Sequence, residues 1–212
     1  MKLCPLCEAA LTSSLVCAAC NAFLDADEGS GPFEALGLSP CWEVDPADLK
    51  RRLLSLSRLV HPDYFASADA DSREAAERAS AELNAAYETL SDDLRRAEWL
   101  LGHLGGPASS DQREMPQPFL MQVMEWNELL EVLREAGPES PAWSQLEELS
   151  TSLASERAEL MEAVGAALTP LPAAGGQELA DLRRQLNAVR YVDRARAELD
   201  NLRLDAALGG RG

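Results

Sequence analysis

Asp45-Pro46-Ala47-Asp48-Leu49-Lys50-Arg51-Arg52-Leu53-Leu54-Ser55-Leu56-Ser57-Arg58-Leu59-Val60-His61-Pro62-Asp63 is the stretch on which the reading of this chain turns. Asp45 can cap a helix through its carboxylate, and Pro46 suits the first helical position, where its missing donor costs nothing. At 100° per residue Leu49, Leu53, Leu56 and Val60 share one stripe, with Arg51 and Arg58 opposite and Lys50 and Arg52 flanking. One face packs and the other is cationic. Pro62 fixes its own φ and biases His61 toward extended backbone, so the His61 and Asp63 side chains are presented rather than buried. A second helix is expected from Ser72 to Leu90, with Ala76, Ala79, Leu83, Ala86, Tyr87 and Leu90 spaced to pack on the first as an antiparallel hairpin. His61-Pro62-Asp63 is then the exposed tip connection. Cations gathered on one helix suggest a docking surface for an acidic partner; the bland alternative is a solvated helix face. A catalytic pair of His61 with Asp63 lacks an indicated nucleophile or second carboxylate to complete a site.

The rest of the chain fits a helical, acidic protein. It has 212 residues, 46% of them hydrophobic and 5% aromatic, and a formal net charge of −17. Leu, Ala and Glu dominate, which favours helix over strand. Such a charge opposes binding to phosphate backbones, so no nucleic acid is expected as a partner. No apolar run approaches the ~20 residues of a membrane-spanning helix, and no membrane partner is expected. Lys2 is the single cation before Pro32, and the same stretch lacks an apolar signal core. The expected location is cytoplasmic, with the mitochondrial matrix as the alternative if a presequence has been removed.

Clustered Gly, Pro and Ser mark the boundaries. Gly29-Ser30-Gly31 closes a cysteine-bearing segment over residues 1–30. Residues 31–106 follow, with a short helix at Phe33 to Leu36, a second at Pro46 to Val60 and a long helical stretch from Ser72 toward Leu104. Gly105-Gly106-Pro107-Ala108-Ser109-Ser110 opens the last part, residues 107–212. Gly137-Pro138, Thr169-Pro170-Leu171-Pro172 and Gly175-Gly176 divide it into helices at approximately Pro118 to Ala136, Pro141 to Leu168 and Gln177 to Leu208. Short breaks between long helices imply antiparallel neighbours, here a three-helix bundle.

Cys4-Pro5-Leu6-Cys7 and Cys17-Ala18-Ala19-Cys20 are two Cys-x-x-Cys pairs separated by nine residues. Each short turn can place two thiolates at about 2.3 Å from a zinc ion, and a segment this small has too little core to order itself otherwise. A structural metal held by Cys4, Cys7, Cys17 and Cys20 is expected, zinc first and iron as the alternative. Two disulfides, or a redox-active pair, are the competing readings. Cys41 stands apart and reads as a small buried hydrophobe.

On the helix beginning near Pro118, Val123, Trp126, Leu129, Leu130 and Leu133 form the core side. Leu120, Met121 and Met124 project on the other, beside Glu125 and Glu128. Large apolar residues rimmed by carboxylates suit a binding patch, and Met suits adaptable recognition. Contact with another part of the chain is the competing reading.

At His61-Pro62-Asp63, at the basic helix before it and at the packed helix after it, the chain resembles the J-domain co-chaperones. Pro32-Phe33-Glu34-Ala35-Leu36-Gly37 looks like the short first helix of that domain. Leu83-Asn84-Ala85-Ala86-Tyr87-Glu88-Thr89-Leu90, with Leu94-Arg95-Arg96-Ala97-Glu98-Trp99-Leu100-Leu101 after it, narrows the resemblance to HscB-type proteins of iron–sulfur cluster assembly. The resemblance runs from about Pro32 to Leu208. It implies a non-enzymatic protein that stimulates ATP hydrolysis by a DnaK-like chaperone of the HscA type. His61, Pro62 and Asp63 would activate, and Lys50, Arg51, Arg52 and Arg58 would make the helix-face contacts. It also implies that the bundle binds an IscU-type scaffold through the run Leu120-Met121-Gln122-Val123-Met124-Glu125, where Met124 replaces a usual Leu, with Glu128 beside it and Tyr191 from the last helix. The family's cysteine-rich extension occurs in only part of it. The expected fold is mostly α: a J-domain hairpin and a C-terminal three-helix bundle, preceded by a small rubredoxin- or zinc-ribbon-like metal knuckle. Two readings compete, a J-domain co-chaperone with a different client and a metal- or cluster-handling redox protein centred on the cysteines.

Overall fold

The computed structural model describes residues 2–24, 30–135 and 140–209. Among these the regular structure is helical, with two isolated β-bridges and no strand. Backbone contacts divide the chain into two compact units, Met1–Leu100 and Leu101–Gly212. Two of the breaks read from the sequence, at Gly29 and at Gly137-Pro138, lie outside the described residues, as does Ala136.

In the first unit α1 spans Pro32–Ala35, α2 Pro46–Val60 and α3 Ala70–Ser91. Asp45 accepts the Ala47 N–H at 2.9 Å and Pro46 opens α2, as the capping pattern requires. Leu49, Leu56 and Val60 are buried and pack toward α3, whose Ala76, Ala79, Leu83, Ala86 and Leu90 are buried in turn. Leu53 and Tyr87 are only half-buried at the edges of this contact. α3 starts two residues earlier than the sequence suggested, because Asp69 is the cap and accepts from the Ser72 N–H at 2.8 Å.

The helix expected from Ser72 to Leu90 is α3, and the helical stretch that continues toward Leu104 is a separate helix. α3 ends at Ser91, Asp92 turns to extended backbone (φ −96°, ψ 126°), and α4 runs Asp93–His103. The cause is capping: Asp92 Oδ1 accepts the Arg95 N–H at 2.8 Å, which satisfies an otherwise unpaired donor of a new helix start. Arg96 secures the joint. Its guanidinium donates to the carbonyls of Leu90 and Trp42 and lies 4.6 Å from the centre of the Trp42 ring.

The second unit contains α5 (Gln117–Glu135), α6 (Gln145–Ala167), entered through a 3-10 turn at Pro141–Ser144, and α7 (Glu178–Gly209). Phe119, Trp126, Leu130 and Leu133 of α5 join Leu146, Leu149 and Leu153 of α6 and Ala188, Val192, Ala195 and Leu199 of α7 in one core. The segment before α5 is stitched to α7 by polar side chains. Arg183, 3% exposed, donates to the Pro107 carbonyl at 2.9 Å, and Asn187 donates to the carbonyls of Gln112 and Glu114 at 2.8 and 2.9 Å. Breaking these buried contacts would leave donors unpaired.

Gly37 has φ +69°, and a Cβ there would fall 2.0 Å from the Thr12 carbonyl oxygen. Gly102, inside α4, has open space around it. Gly37→Ala should cost about 2 kcal/mol through strain and collision, whereas Gly102→Ala should add up to about 1 kcal/mol through helix propensity. Denaturant midpoints of the two variants against the unaltered protein check both signs.

Candidate functional site

The His61-Pro62-Asp63 turn is the C-terminal continuation of α2. His61 is its C-cap, in extended backbone (φ −64°, ψ 123°), and Pro62–Phe65 form a 3-10 turn with no buried residue. His61 Nδ1 accepts the Asp63 N–H at 3.2 Å. With Nδ1 turned to the Asp63 amide, Nε2 is the ring nitrogen left to donate to a partner. The Asp63 carboxylate lies 3.7 Å from Nδ1 and is 88% exposed, against 52% for the histidine side chain. The turn offers a partner one oriented donor and one carboxylate.

Lys50, Arg51 and Arg58 are exposed on α2. Arg51 bonds Asp48 at 2.6 Å while remaining 69% exposed. Arg52 is engaged differently. Its Nε donates to Asp48 at 2.7 Å, and its terminal nitrogen donates to the Leu36 and Gly37 carbonyls at 3.3 and 2.8 Å. The Arg52 hydrogen bond, with Arg51 adding to it, holds the Asp48 carboxyl below its usual range. Arg52 thus ties α2 to the end of α1, and the exposed cationic face consists of Lys50, Arg51 and Arg58.

The Sγ atoms of Cys4, Cys7, Cys17 and Cys20 all lie within 4.8 Å of one another. Cys4 and Cys20 are 3.8 Å apart, Cys7 and Cys17 3.7 Å. A tetrahedral ion with bonds near 2.3 Å requires sulfur separations of about 3.8 Å, so the donor set fits four-thiolate coordination. The backbone builds the set twice. Cys4 N–H donates to Ala9 O at 2.8 Å and Glu8 N–H to Cys4 O at 2.9 Å; thirteen residues on, Cys17 donates to Ala22 at 2.9 Å and Asn21 to Cys17 at 2.8 Å. Glu8 (φ 59°) and Asn21 (φ 58°) take the left-handed geometry that closes each turn. The amides of Cys20 and Ala19 aim at the Cys17 sulfur and lower its pKa to about 6. At Cys7 the Ala9 amide acts to lower the pKa, but the neighbouring cysteines and burial push it up to about 12. Cys41 lies outside this group, half-buried, with its thiol donating to the Glu43 carbonyl at 3.2 Å and pushed up by burial.

On α5 the core side is as the spacing indicated, with Phe119 added and Val123 and Leu129 only half-buried. Opposite it Met121 is 66% and Met124 60% exposed, with Glu125 and Glu128 exposed beside them and Leu120 half-buried. Tyr191 of α7 packs against the same core from its edge. Its hydroxyl donates to Asn127 Oδ1 at 2.6 Å, and its ring meets Phe119 edge-on at 5.9 Å and has the Arg194 guanidinium 6.0 Å away. Sequence reasoning missed Asn127 and Arg194; the signal for Asn127 was its position two helical turns after Leu120. Among the described residues, no helix is long and apolar enough to cross a membrane.

Comparisons with known proteins bear on the whole of this geometry. Residues 32–99 match the DnaJ domain, and residues 115–200 match the HSCB C-terminal oligomerisation domain. The co-chaperone protein HscB homolog of Shewanella loihica is 33% identical over 79% of this chain and 94% of its own length. The homolog of Aliivibrio salmonicida is 33% identical over 84% of this chain and 98% of its own. Among solved structures, human co-chaperone protein HscB aligns over 96% of this chain and 99% of its own, with 25% identity and a TM-score of 0.76. Chaperone HscB from Vibrio cholerae covers 83% of this chain with 26% identity and a TM-score of 0.67. A J-domain hairpin that ends in an exposed His-Pro-Asp turn, a three-helix bundle, and relatives matched over nearly their full length lead to one assignment: the chain belongs to the HscB family of J-domain co-chaperones.

Proposed function

We propose that this co-chaperone binds an IscU-type scaffold and delivers it to a DnaK-like chaperone of the HscA type, whose ATP hydrolysis it stimulates, in iron–sulfur cluster assembly. The observation that carries the reading is the exposed His61-Pro62-Asp63 turn at the end of a helix whose outward face bears Lys50, Arg51 and Arg58. In a chain of net charge −17 that face gathers three exposed cations on one helix, suited to an acidic groove on the chaperone. The scaffold sits on Leu120, Met121, Met124, Glu125 and Glu128 of α5, with Tyr191 at the border. Holding the scaffold and the chaperone on one molecule raises the local concentration of client at the chaperone's peptide site. The protein itself performs no chemistry in this scheme. Bacterial relatives support a cytoplasmic location.

Cys4, Cys7, Cys17 and Cys20 hold a structural ion, zinc in preference to iron. With four protein donors no position is left open for catalysis, and the ion's contribution is to fold the segment.

Three outcomes are expected. Single-turnover ATP hydrolysis by an HscA-type chaperone should accelerate with this protein and scaffold together, and His61→Gln should abolish the acceleration; a mutant as active as the unaltered protein would remove the turn from the mechanism. Leu120→Ala, Met121→Ala and Met124→Ala combined should weaken scaffold binding by roughly a hundred-fold, as expected when several apolar anchors are truncated, and should leave scaffold-independent stimulation in place. Elemental analysis should find one zinc per chain, and a strong chelator should release it with loss of backbone protection over residues 2–24; metal-free protein with that segment still ordered would sink the metal assignment.

A further inference from the structure

We infer that Phe23, in the cysteine segment, is a positioning residue for the His61-Pro62-Asp63 turn and acts through Phe65. This inference rests on the proposed role of that turn in stimulating the chaperone. The rings of Phe23 and Phe65 lie 5.0 Å apart at an interplanar angle of 55°, inside the range of a direct aromatic pair. Phe65 is the last residue of the 3-10 turn that begins at Pro62. That turn buries none of its residues, and Tyr64 points outward at 72% exposure. The turn is ordered by Pro62, by the His61–Asp63 hydrogen bond, by the bonds of the Tyr64 N–H to the His61 carbonyl at 3.1 Å and of the Ala66 N–H to the Asp63 carbonyl at 3.4 Å, by the His61 and Tyr64 rings 5.9 Å apart, and by packing on α3. Phe65 is half-buried, and Phe23 supplies a partner for its ring from outside the hairpin.

Phe23 is itself held. It forms a bridge with Val16, which is fully buried, and the bonds Cys17 N–H to Ala22 O and Leu24 N–H to Leu15 O, at 2.9 and 3.0 Å, flank it. The base of this ladder is fastened to α1, where Ser14 N–H donates to the Glu34 carbonyl at 3.0 Å and the Ser13 hydroxyl to the Ala35 carbonyl at 2.7 Å. The segment therefore grips α1 at one place and touches the functional turn at another.

The internal repeat explains why the aromatic ring is informative. Cys4 and Cys7 recur thirteen residues later as Cys17 and Cys20, and the bridge Leu3–Ala10 recurs as Val16–Phe23. Phe23 thus occupies the position that Ala10 fills in the first copy, where the residue is exposed. A cysteine turn of this geometry closes with alanine, so the ring at Phe23 is surplus to it, and that ring is paired with Phe65.

A turn held in its binding geometry for a smaller fraction of the time binds more weakly by that fraction, while the bound complex is unchanged. Titration of the chaperone ATPase with Phe23→Ala should therefore move the half-maximal concentration up by roughly two- to ten-fold, the worth of one aromatic pair, with the plateau retained. His61→Gln, in contrast, removes the plateau. Phe23→Tyr, which keeps the ring, should restore the titration of the unaltered protein, and Phe23→Ala with Phe65→Ala should be no weaker than Phe65→Ala alone. Metal content and thermal midpoint are read on each variant; if the alanine variant loses either, Phe23→Leu, which keeps the apolar volume without the ring, takes its place with the same expected direction. The independent readout is the NMR resonance of the His61 ring together with amide exchange at Asp63 and Tyr64, expected to shift and to quicken in Phe23→Ala. Coincident titrations with an unmoved His61 resonance overturn the inference. Should the unaltered protein fail to stimulate the chaperone, the functional reading falls, and the resonance and exchange data still decide whether Phe23 positions the turn.

Discussion

The close packing of α2 on α3 is the constraint from which the exposed His-Pro-Asp hairpin follows. Three of the five buried α3 positions in the contact are alanine, Ala76, Ala79 and Ala86, so the two helices approach closely and Leu49, Leu56 and Val60 fill the space between them. Because the apolar stripe of α2 is committed to this contact, its remaining face points to water, and the cations on it stay solvated and available. The same packing ends at Val60, fully buried, one residue before His61. The chain leaves the core there, and Pro62 prevents the helix from continuing past His61. Exposure of the turn is thus a consequence of where the packing stops.

A second set of interactions joins α1 to what surrounds it. The last carbonyls of a short helix have no internal partners and must be met from outside. Here the Glu34 carbonyl accepts from Ser14 N–H as well as from Gly37 N–H, Ser13 meets Ala35, and Arg52 meets Leu36 and Gly37. One end of α1 is therefore a junction at which the cysteine segment and α2 are both fastened, and the absence of a side chain at Gly37 is what lets Thr12 come close enough. Arg52 serves this junction, which separates it in role from Lys50, Arg51 and Arg58 although all four stand on one helix.

Much of this was legible in the sequence, for reasons that can be named. α2 was readable to the residue because Asp45-Pro46 and His61-Pro62 mark both of its ends and a clean stripe lies between. The thiolate cluster was readable because two Cys-x-x-Cys turns leave few alternatives for a segment without a core. The end of α3 was readable at Leu90, but the separate start of α4 at Asp93 was not, since the apolar period continues from Leu90 to Leu94 and Ala97 and outweighs the cap signal of Asp92-Asp93. The engagement of Arg52 was not legible, because its partners, Leu36 and Gly37, are backbone carbonyls sixteen and fifteen residues away and carry no side-chain signature. For the same reason the stitching of residues 107–116 to α7 by Arg183 and Asn187 could not be foreseen from a Gly, Pro and Ser cluster that reads only as a break. The contact of Phe23 with Phe65 joins residues forty-two positions apart in sequence, with no periodicity to link them.

In the proposed adaptor the two binding surfaces are electrostatic opposites. The hairpin presents Lys50, Arg51 and Arg58 around a single exposed Leu54, whereas α5 presents Met121 and Met124 framed by Glu125 and Glu128. A partner with an acidic groove is drawn to the first and repelled by the second, and a basic, apolar-seeking partner behaves in reverse. The surplus of acid over the rest of the chain sharpens this difference for the hairpin, since a positive patch on a negative molecule is distinguishable at a distance, within the limit set by salt screening of about 10 Å. At α5 the acidic rim is accompanied by the Arg194 guanidinium, 6.0 Å from the Tyr191 ring, so discrimination there comes from short-range contact with the methionines and from the edge where Leu120 and Tyr191 meet the core. Chaperone docking should accordingly be the more salt-sensitive of the two, and scaffold binding the more sensitive to the loss of apolar volume.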